Sequence, residues 1–332
     1  PPYNAYSVLR SPFDRWYAAT AEEAGAEVYP EVTVTDLLWE DGAVVGVTTG
    51  DEDGELFARC VVLADGANSL LAQRADLHNG WSPMDQALVA KELIALPSGT
   101  IEDRFNLPAG LGTALEIFGE STMGLLGYGF IYTNKESLSI GTGALLGDLI
   151  ETGINVNDML DRFKRLPAIA PLLEGGETIE YSAHLIPEGG YNRMPRLYGD
   201  GVVVVGDAAG FVNPLNREGV NLAMLSGKLA AQAIIEGIAR DNLSAASLSR
   251  YRELLEQSIV LKDLYSIRNV TSFAHARPHA LREYPRLAAG IAQDYLTVDG
   301  TPKREKYRKI FNRVAALPKK QLLNDLGGAL KA

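Results

Sequence analysis

The sequence is poor in cysteine, in histidine and in positive charge. Its single cysteine, Cys60, excludes a disulfide within one chain, a four-cysteine zinc site and a four-cysteine iron–sulfur cluster. With 31 lysines and arginines against 42 acidic residues, the net charge of −11 argues against general nucleic-acid binding. No apolar run reaches the length of a membrane span, and the first residues, Pro-Pro-Tyr-Asn, do not resemble a signal peptide. We therefore expect a cytoplasmic protein that does not bind nucleic acid.

The few histidines do not indicate a metal site. His275 and His279 are four residues apart, a spacing that metal ligands on a helix use, but Pro278 lies between them and no carboxylate is suitably placed. His184 is the histidine that we would test as a proton donor, against the alternative of a structural histidine whose hydrogen bonds are satisfied.

The apolar pattern predicts two sheets. With 332 residues, 46% of them hydrophobic, the chain is long enough for one large or two moderate domains. Residues 27–64 alternate in strand fashion and are broken by Asp-Gly turns near residues 41 and 53, which predicts a three-stranded antiparallel meander. Further strands are predicted at residues 87–94, 113–118 and 125–143, the last run forming a hairpin around residues 133–136.

Helices are predicted on either side of these strands. Ser11 is placed to cap a helix that has Pro12 at its first position and ends at Gly25. A second helix covers residues 156–166, with Asn155 or Asn157 as its cap. Residues 243–317 are mostly helical, with amphipathic spacing. The apolar positions of this pattern are Leu248, Tyr251, Leu255, Ile259 and Leu264.

Residues 201–235 form the most informative segment of the sequence. Val202 to Val205 are consecutive β-branched residues between two glycines, which is typical of a short strand buried on both faces. A helix follows after a loop, and its small or apolar positions recur at three- and four-residue steps, so one face is predicted to pack closely. These positions are Val220, Ala223, Met224, Gly227, Ala230, Ala231 and Ile234.

The two ends of this strand–loop–helix unit carry chemical groups. Asp207 follows the carboxyl end of the strand, where open α/β sheets bind ligands, and its carboxylate can accept hydrogen bonds from the hydroxyls of a sugar or ribityl chain. Gly206 and Ala208 keep that place small enough for a ligand to lie on the backbone. The free N–H groups around Gly219, Val220 and Asn221 favour a nearby negative charge. The alternative is an ordinary tight turn of an α/β domain.

Two stretches of the sequence resemble a known flavoprotein family. The run Val-Val-Val-Gly-Asp-Ala-Ala-Gly-Phe-Val-Asn-Pro, followed by Arg-Glu-Gly-Val-Asn-Leu-Ala-Met, resembles a flavin-contacting motif of the FAD-dependent oxidoreductases. The branch that it resembles contains the electron-transfer-flavoprotein:quinone oxidoreductases, the FixC proteins and the geranylgeranyl reductases. Val-Leu-Ala-Asp-Gly-Ala-Asn-Ser, ending at Ser69, resembles a second stretch of the same superfamily. The sequence of residues 216–224 is similar to that of FixC rather than to that of the geranylgeranyl reductases.

The resemblance implies a fold and a set of cofactor contacts. The fold is α/β (α+β), the FAD-binding two-domain flavoprotein fold of the p-hydroxybenzoate hydroxylase/glutathione reductase type, N-terminally truncated, with an antiparallel-sheet substrate domain and a helical C-terminus. Residues 1–80 and 190–240 would form the FAD-binding part, residues 81–189 the substrate or quinone side, and residues 241–332 the helical region. The implied FAD contacts are Asp65, Gly66, Gly206, Asp207, Ala208, Gly219, Val220 and Asn221.

The resemblance also implies a segment that this sequence does not contain. Members of the superfamily hold the FAD pyrophosphate with a Gly-x-Gly-x-x-Gly turn at a helix N-terminus, and no such motif is present. We therefore expect the chain to be a piece of a longer protein, preceded by on the order of 100 residues.

The function implied is FixC-like electron transfer through FAD. The expected partners are a reduced electron-transfer flavoprotein as electron donor, a quinone as acceptor and a separate ferredoxin-like subunit, since the chain has no cluster ligands of its own. Basic residues between 277 and 309 form either a solvated face or a peripheral contact with an anionic partner or lipid headgroups. Two alternatives remain open: a prenyl-lipid reductase of the geranylgeranyl type, and a non-catalytic scaffold subunit without cofactor.

Overall fold

The computed structural model describes residues 6–50 and 54–329, which form three sheets and a set of helices. The residues at the start of the chain and the centre of the predicted turn, Asp51 to Asp53, lie outside the described residues. The strands are β1 (Val34–Glu40), β2 (Ala43–Thr49), β3 (Glu55–Phe57), β4 (Val61–Leu63), β5 (Gln86–Ala95), β6 (Ala114–Ile117), β7 (Gly127–Thr133), β8 (Ser137–Leu145), β9 (Glu177–Pro187), β10 (Tyr198–Gly199) and β11 (Val202–Val204).

Helices precede, interrupt and follow these strands. They are α1 (Arg10–Glu23), α2 (Leu70–Arg74), α3 (Ser98–Phe105), α4 (Leu146–Thr152), α5 (Val156–Lys164), α6 (Ala170–Leu173), α7 (Val220–Ala239), α8 (Ala245–Gln257), α9 (Ile259–Ser266), α10 (Val270–His275), α11 (Ala280–Leu296), α12 (Lys303–Ala315) and α13 (Lys319–Ala329). The predicted mixture of sheets with a helical C-terminus is confirmed.

The predicted meander is confirmed, but its last strand is shorter than predicted. β1, β2 and β3 pair in order and antiparallel. After β3 the N–H of Ala58 still donates to Val45 O at 2.8 Å, whereas the N–H of Val61 donates to Gly201 O at 2.9 Å. The chain therefore changes sheets between these residues, and β4 runs parallel to β11 in a second three-stranded sheet of order β10-β11-β4. Because β3 and β4 are both apolar and extended, the sequence pattern predicts them as one strand.

β11 and α7 form the predicted strand–loop–helix unit, but α7 presents a different face to the core. All three residues of β11 are buried, as expected of a strand covered on both sides. The buried positions of α7 are Leu222, Ser226, Ala230, Ala233 and Gly237, so of the positions predicted to pack closely only Ala230 is buried. Val220 and Met224, which were predicted to pack, are each 41% exposed.

A hydrogen bond explains why α7 buries a face other than the predicted one. The hydroxyl of Ser226 accepts the N–H of Gly206 at 3.0 Å and donates to Ala223 O at 2.8 Å. A buried backbone N–H needs an acceptor, so the helix turns its Ser226 side towards the end of β11. The prediction from apolar residues alone was wrong because this polar residue faces the core.

The third sheet has five strands in the order β6-β7-β8-β5-β9, and all five come between β4 and β11 in the sequence. The predicted strands and the hairpin between β7 and β8 are confirmed. One face of the sheet, including Ile131 and Ile140, packs against α3, α4 and α5 in a buried cluster. Asn155 caps α5 as predicted, since its side chain accepts the N–H of Asn157 at 2.8 Å. The opposite face, which carries Tyr128, is not part of this cluster, and we call it the open face.

The start of α1 differs from its prediction. The helix begins at Arg10, with Leu9 at the N-cap position and no side-chain cap, so Ser11 lies inside the first turn. Arg10 bonds Asp14 one turn later at 3.0 and 3.1 Å, a pairing that supports the helix from its first residue. The predicted end is confirmed, because Gly25 follows the helix with a φ of +98°.

The C-terminal helices α8 and α9 belong to the same core as β11 and α7. Leu248, Tyr251 and Leu255 are buried there, while Ile259, which was predicted to share that face, is 52% exposed. The Tyr251 hydroxyl donates to Val204 O at 3.1 Å. Among the described helices, α7 alone is long and apolar enough by length and composition to cross a membrane, with a mean hydropathy of 1.3. Core helices pass the same test, and α7 contributes to this core.

Candidate functional site

The two flavoprotein-like stretches of the sequence meet at one edge of the β10-β11-β4 sheet. Leu63 is in register with Val204, so the chain leaves β4 and β11 at the same level. The buried Ser69 then donates its hydroxyl hydrogen bond to Ala208 O at 3.1 Å. Parallel strands present their carboxyl ends on one side, which is where open sheets bind ligands. The structure therefore brings together segments that lie about 140 residues apart in the chain.

Asp207 carries the carboxylate at this edge. It is half-buried, and none of the described residues donates a hydrogen bond to its side chain. Burial raises the pKa of Asp207, and the charge of Arg10 lowers it in part. A carboxylate that is partly removed from water and lacks a protein donor is suited to accept hydrogen bonds from the hydroxyls of a bound molecule.

The first turn of α7 lies next to this carboxylate. A Cβ atom on Gly219 would come within 3.8 Å of Asp207 Oδ1. Gly219 occupies the N-cap position, no side chain caps the helix, and no acidic residue lies in its first turn. The Asn221 side chain donates to Glu218 Oε2 at 3.4 Å, and Val220 is exposed. The positive end of the 20-residue helix α7 is thus available for an anionic group of a ligand.

Gly206 and Ala208 form the floor between the strand and the helix. Gly206 has a φ of +59°, and a Cβ atom there would come within 3.2 Å of the Ala223 side chain, so glycine suits both its backbone and its surroundings. Ala208 is fully buried beneath the turn. These positions set the shape of the edge, while Asp207 supplies its charge.

Asp65 and Gly66 have a local structural role. Asp65 Oδ2 accepts the N–H of Leu71 at 2.9 Å, which satisfies a free donor in the first turn of α2. Gly66 has a φ of +75°, a conformation that favours glycine. The short helical turn that starts at Gly66 packs against the turn at Gly206. Contact of these two residues with FAD stays a prediction.

A loop between β11 and α7 links this edge to the five-stranded sheet. Asn213 is buried, and its Oδ1 accepts the N–H groups of Leu215 and Asn216, each at 3.0 Å. At the end of the loop, the guanidinium of Arg217 forms a two-pronged ion pair with Glu116 on β6. Arg217 also lies over the ring of Tyr128, 5.1 Å from its centroid. Sequence reasoning missed this pair, since nothing in the sequence joins positions 101 residues apart.

The open face carries a row of three aromatic residues, next to a glycine on the neighbouring strand. Tyr128, Phe130 and Tyr132 alternate along β7 and so share one face, with ring centroids 6.1 and 4.8 Å apart. Across the sheet, Tyr128 is in register with Gly143 on β8, and through β5 with His184 on β9. His184 is exposed, and its role as proton donor stays a prediction. Phe130 is buried, while Tyr128 and Tyr132 on either side of it are half-buried.

Glu188 is a second acidic group of the site that sequence reasoning missed. It follows β9 directly, and burial raises its pKa to about 7 despite the opposing charge of Arg217. Burial together with the charges of Tyr132 and Glu188 raises the pKa of Tyr128. The sequence shows Glu188 only as part of a Pro-Glu-Gly-Gly turn, which carries no signal of this environment.

His78 and Trp81 support the turn after Asp207. Their rings lie 4.3 Å apart, and a Cβ atom on Gly210 would come within 2.9 Å of the Trp81 ring. Burial lowers the pKa of His78, whose Nδ1 accepts the N–H of Gly80 at 2.9 Å. These neutral rings hold the turn in place beneath the ligand edge.

The two histidines with metal-like spacing pair with different carboxylates. His275 Nε2 lies 3.1 Å from Asp148 Oδ1, and His279 Nε2 lies 2.8 Å from Asp325 Oδ2. Within residues 6–50 and 54–329, no group of three or more histidine, cysteine, aspartate or glutamate side chains is arranged to hold a metal ion.

The residues at the sheet edge fit FAD. A ribityl chain presents hydroxyl donors, which match the carboxylate of Asp207. The pyrimidine edge of a reduced flavin is anionic, which matches the start of α7, where no side chain caps the helix. The individual contacts stay predictions, but the donor and acceptor set is the one that this cofactor needs.

Comparison with known protein families agrees with this fit. The model of the FAD dependent oxidoreductase family matches residues 11–233, which include both sheet-edge motifs. The model of the ETF-QO/FixC family C-terminal domain matches residues 270–332. Together they show an FAD-dependent oxidoreductase whose cofactor is FAD.

Several curated relatives are similar over most of the chain. Protein FixC of Bradyrhizobium diazoefficiens is 47% identical over 308 residues, which cover 91% of this chain and 70% of the relative. Protein FixC of Azotobacter vinelandii is 43% identical over 332 residues, covering 100% and 76%. Protein FixC of Escherichia coli K12 is 42% identical over 314 residues, covering 94% and 72%.

Solved structures share the fold at low sequence identity. A geranylgeranyl bacteriochlorophyll reductase-like protein from Thermoplasma acidophilum superposes with a TM-score of 0.69 at 19% identity, covering 97% of this chain and 77% of that one. A variant of the flavin-dependent brominase Bmp2 gives a TM-score of 0.62 at 21% identity, covering 94% and 76%. The fold is thus the predicted flavoprotein fold, and the sequence relatives show that the chain belongs to the ETF-QO/FixC family of FAD-dependent oxidoreductases.

Proposed function

We propose that the protein uses FAD to pass electrons from a reduced electron-transfer flavoprotein to a quinone. The observation that carries the proposal is the joint match to the FixC proteins and to the ETF-QO/FixC C-terminal domain. The open face with its aromatic row supports it, because a quinone is a flat ring with two carbonyl groups and suits a surface of rings and glycines.

FAD, when bound, supplies the electron chemistry, and the residues of the chain position and tune it. Asp207 accepts hydrogen bonds from the ribityl hydroxyls, and Gly206 and Ala208 let that chain lie on the backbone. Gly219 to Asn221 place the positive end of α7 at the pyrimidine edge, where it favours the anionic form. Asp65 and Gly66 provide a further backbone contact.

The arrangement of the sheets supports separate cofactor and substrate parts along the chain. We propose that residues 1–80 and 190–240 form the cofactor side, that residues 81–189 form the quinone side, and that residues 241–332 form a helical region. The Arg217–Glu116 pair connects the first two parts.

The partners follow from the same assignment. A separate ferredoxin-like subunit would carry any iron–sulfur cluster, since the chain has a single cysteine. We place the protein in the cytoplasm, with the basic residues between 277 and 309 in peripheral contact with the inner face of the cell membrane, where anionic lipid headgroups attract them.

A prenyl-lipid reductase is the second candidate, favoured by the structural likeness to the geranylgeranyl bacteriochlorophyll reductase-like protein. The two candidates differ in the acceptor of the electrons. A reductase transfers them to a carbon–carbon double bond of a lipid, whereas the proposed activity delivers them to quinone carbonyls.

The test begins with the absorbance spectrum of the purified chain, recorded before and after incubation with FAD. Flavin bands are expected between about 350 and 500 nm. The flavin-loaded protein is then mixed anaerobically with reduced electron-transfer flavoprotein, and its reoxidation is followed with a short-chain quinone or a polyprenyl lipid. We expect reduction by the flavoprotein and reoxidation by the quinone alone. Reoxidation by the lipid alone would support the reductase.

A further inference from the structure

Lys91 lies on the open face, on strand β5, which is paired on both sides. It is in register with Gly141 on β8 and with Ser182 on β9. Gly141 is in turn in register with Phe130 on β7. Residues in register on neighbouring strands project to the same side of a sheet, so Lys91 shares the open face with Phe130.

The surroundings of Lys91 on this face are largely apolar. On its own strand the same face carries Val89 and Leu93, and Leu93 is buried. The ring of Phe130 lies against Gly141, since a Cβ atom on that glycine would collide with the ring. The Lys91 side chain is 28% exposed and therefore largely covered. An ammonium group thus lies beside apolar surface.

Lys91 is weakly partnered within the part of the chain that the structure describes. Its Nζ lies 4.0 Å from Glu180 Oε1, at the outer limit for an ion pair, and the Glu180 side chain is 51% exposed. A loose and solvated pair of this kind contributes little. The enclosed hydroxyl of Ser182 is not bonded to Lys91 either, because none of the described residues is a hydrogen-bond partner of that oxygen. The N–H donors of the ammonium are therefore available to a ligand.

The next residue along the strand, Glu92, is a charge with a clear structural role. It projects to the opposite face, where one carboxylate oxygen accepts a hydrogen bond from Lys164 Nζ at 2.8 Å and the other accepts the Thr178 hydroxyl at 2.9 Å. Lys164 also pairs with Asp161 at 3.1 Å. Lys91 is one residue away and has no comparable contact. This contrast indicates that the Lys91 ammonium serves a molecule outside the chain.

We propose that the Lys91 ammonium donates a hydrogen bond to a carbonyl oxygen of the quinone at the open face, an inference that rests on the quinone-reducing function proposed above. Small-molecule sites are mainly apolar and hold a few polar groups that fix the orientation of the ligand. A quinone matches this surface, because its ring is flat and apolar and its carbonyl oxygens are acceptors.

Reduction of the quinone strengthens this contact. The carbonyl oxygen gains negative charge as electrons arrive, so a fixed cation beside it stabilises the reduced ring more than the oxidised one. One quinone, two electrons and two protons give one hydroquinone, in which each C=O becomes C–OH. The electrons come from the reduced cofactor, both protons come from solvent, and Lys91 keeps its own protons throughout.

The experiment compares Lys91→Met with Lys135→Met. Methionine keeps an unbranched stem and removes the charge, and the control removes the same charge from an exposed position between β7 and β8 of the same sheet. Each FAD-loaded protein is reduced anaerobically and reoxidised in a stopped-flow instrument by a water-soluble quinone or by ferrocenium, which has no carbonyl oxygen.

The two variants should differ with the quinone alone. We expect Lys91→Met to lower the second-order rate constant for the quinone by about 10- to 100-fold, the range for loss of a hydrogen bond from a charged group, and to leave the ferrocenium rate unchanged. Lys135→Met should match the wild type with both acceptors.

An infrared spectrum of the bound quinone supplies a readout that a purely structural role would not change. A hydrogen bond from an ammonium group lowers the stretching frequency of the carbonyl that accepts it, and isotopic labelling of the quinone carbonyl carbons identifies the band. The lowered band should be present in the wild type, in Lys135→Met and in Lys91→Arg, which keeps a charged donor, and lost in Lys91→Met. The band can be recorded on oxidised protein without any turnover.

Distinct results overturn the two proposals. Quinone reduction by Lys91→Met at the wild-type rate, or an equal loss with quinone and ferrocenium, overturns the role of Lys91 while the proposed function stands. A wild-type carbonyl band no lower than that of the quinone in an apolar solvent does the same, and this result does not depend on any variant. A wild-type protein that transfers electrons to ferrocenium but to no quinone overturns the proposed function, and the role of Lys91 with it.

Discussion

Replacement of Asp207 by asparagine separates cofactor binding from fold stability. None of the described residues donates a hydrogen bond to the carboxylate, which is half-buried, and its raised pKa means that the folded chain favours its neutral form. The sign follows from proton linkage: a raised acid pKa makes the folded state bind more protons, so stability is greatest below the unfolded pKa and is lost as pH rises to the folded pKa. At pH 7 the charge therefore costs stability, and Asp207→Asn without FAD should be as stable as the wild type or more stable.

FAD affinity should change in the opposite direction. Hydrogen bonds to a charged group contribute about 1.5–3 kcal/mol, which corresponds to a rise in the FAD dissociation constant of roughly 10- to 100-fold for Asp207→Asn. Fluorescence titration with FAD measures the affinity, and urea denaturation of the FAD-free protein measures the stability.

Asp200→Ala is the control for this pair of measurements. Asp200 Oδ1 accepts the N–H of Ala245 at 2.8 Å at the start of α8, so removal of this acceptor should cost about 1 kcal/mol of stability and leave FAD affinity unchanged. An Asp207→Asn protein that binds FAD as tightly as the wild type, or that loses stability as Asp200→Ala does, would refute the assignment of Asp207 to the cofactor.

Three further changes test the packing that positions the site. Ser226→Ala removes the acceptor of the buried Gly206 N–H and should lower the free energy of unfolding by about 1–3 kcal/mol; an unchanged urea midpoint would contradict the account of the α7 rotation. Tyr251→Phe removes the hydroxyl bond to Val204 O and should cost about 1 kcal/mol by the same measurement, with FAD affinity retained. Arg217→Lys loses the two-pronged pair with Glu116, and we expect a higher KM for quinone; an unchanged KM would count against a role for this pair at the substrate surface.

The secondary structure was largely predictable because it depends on local patterns. The alternation in β5, β7 and β8, the β-branched run of β11 and the glycine after α1 each carry their signal within a few residues. The errors arose where a tertiary contact competed with the pattern. β3 and β4 look like one strand until the parallel pairing with β11 takes the second piece away.

The candidate site was predicted in part, and for the same reason. Asp207 and the start of α7 lie in one contiguous motif, whose resemblance to a flavoprotein family implied the cofactor, and family comparison confirmed FAD. Glu188, Arg217 and Glu116 come from separate segments, and nothing in their local sequence marks them as neighbours.

The strands, the helices and their order were thus largely determined by the sequence alone, since they rest on local periodicity and on turn chemistry, and the flavin motifs were recognised by their resemblance to a known family. The tertiary structure decided which face of α7 is buried and brought Arg217 against Glu116 on β6. Burial and electrostatic coupling depend on distances through space, and the packing of the inserted sheet against the β11–α7 loop sets those distances for this chain.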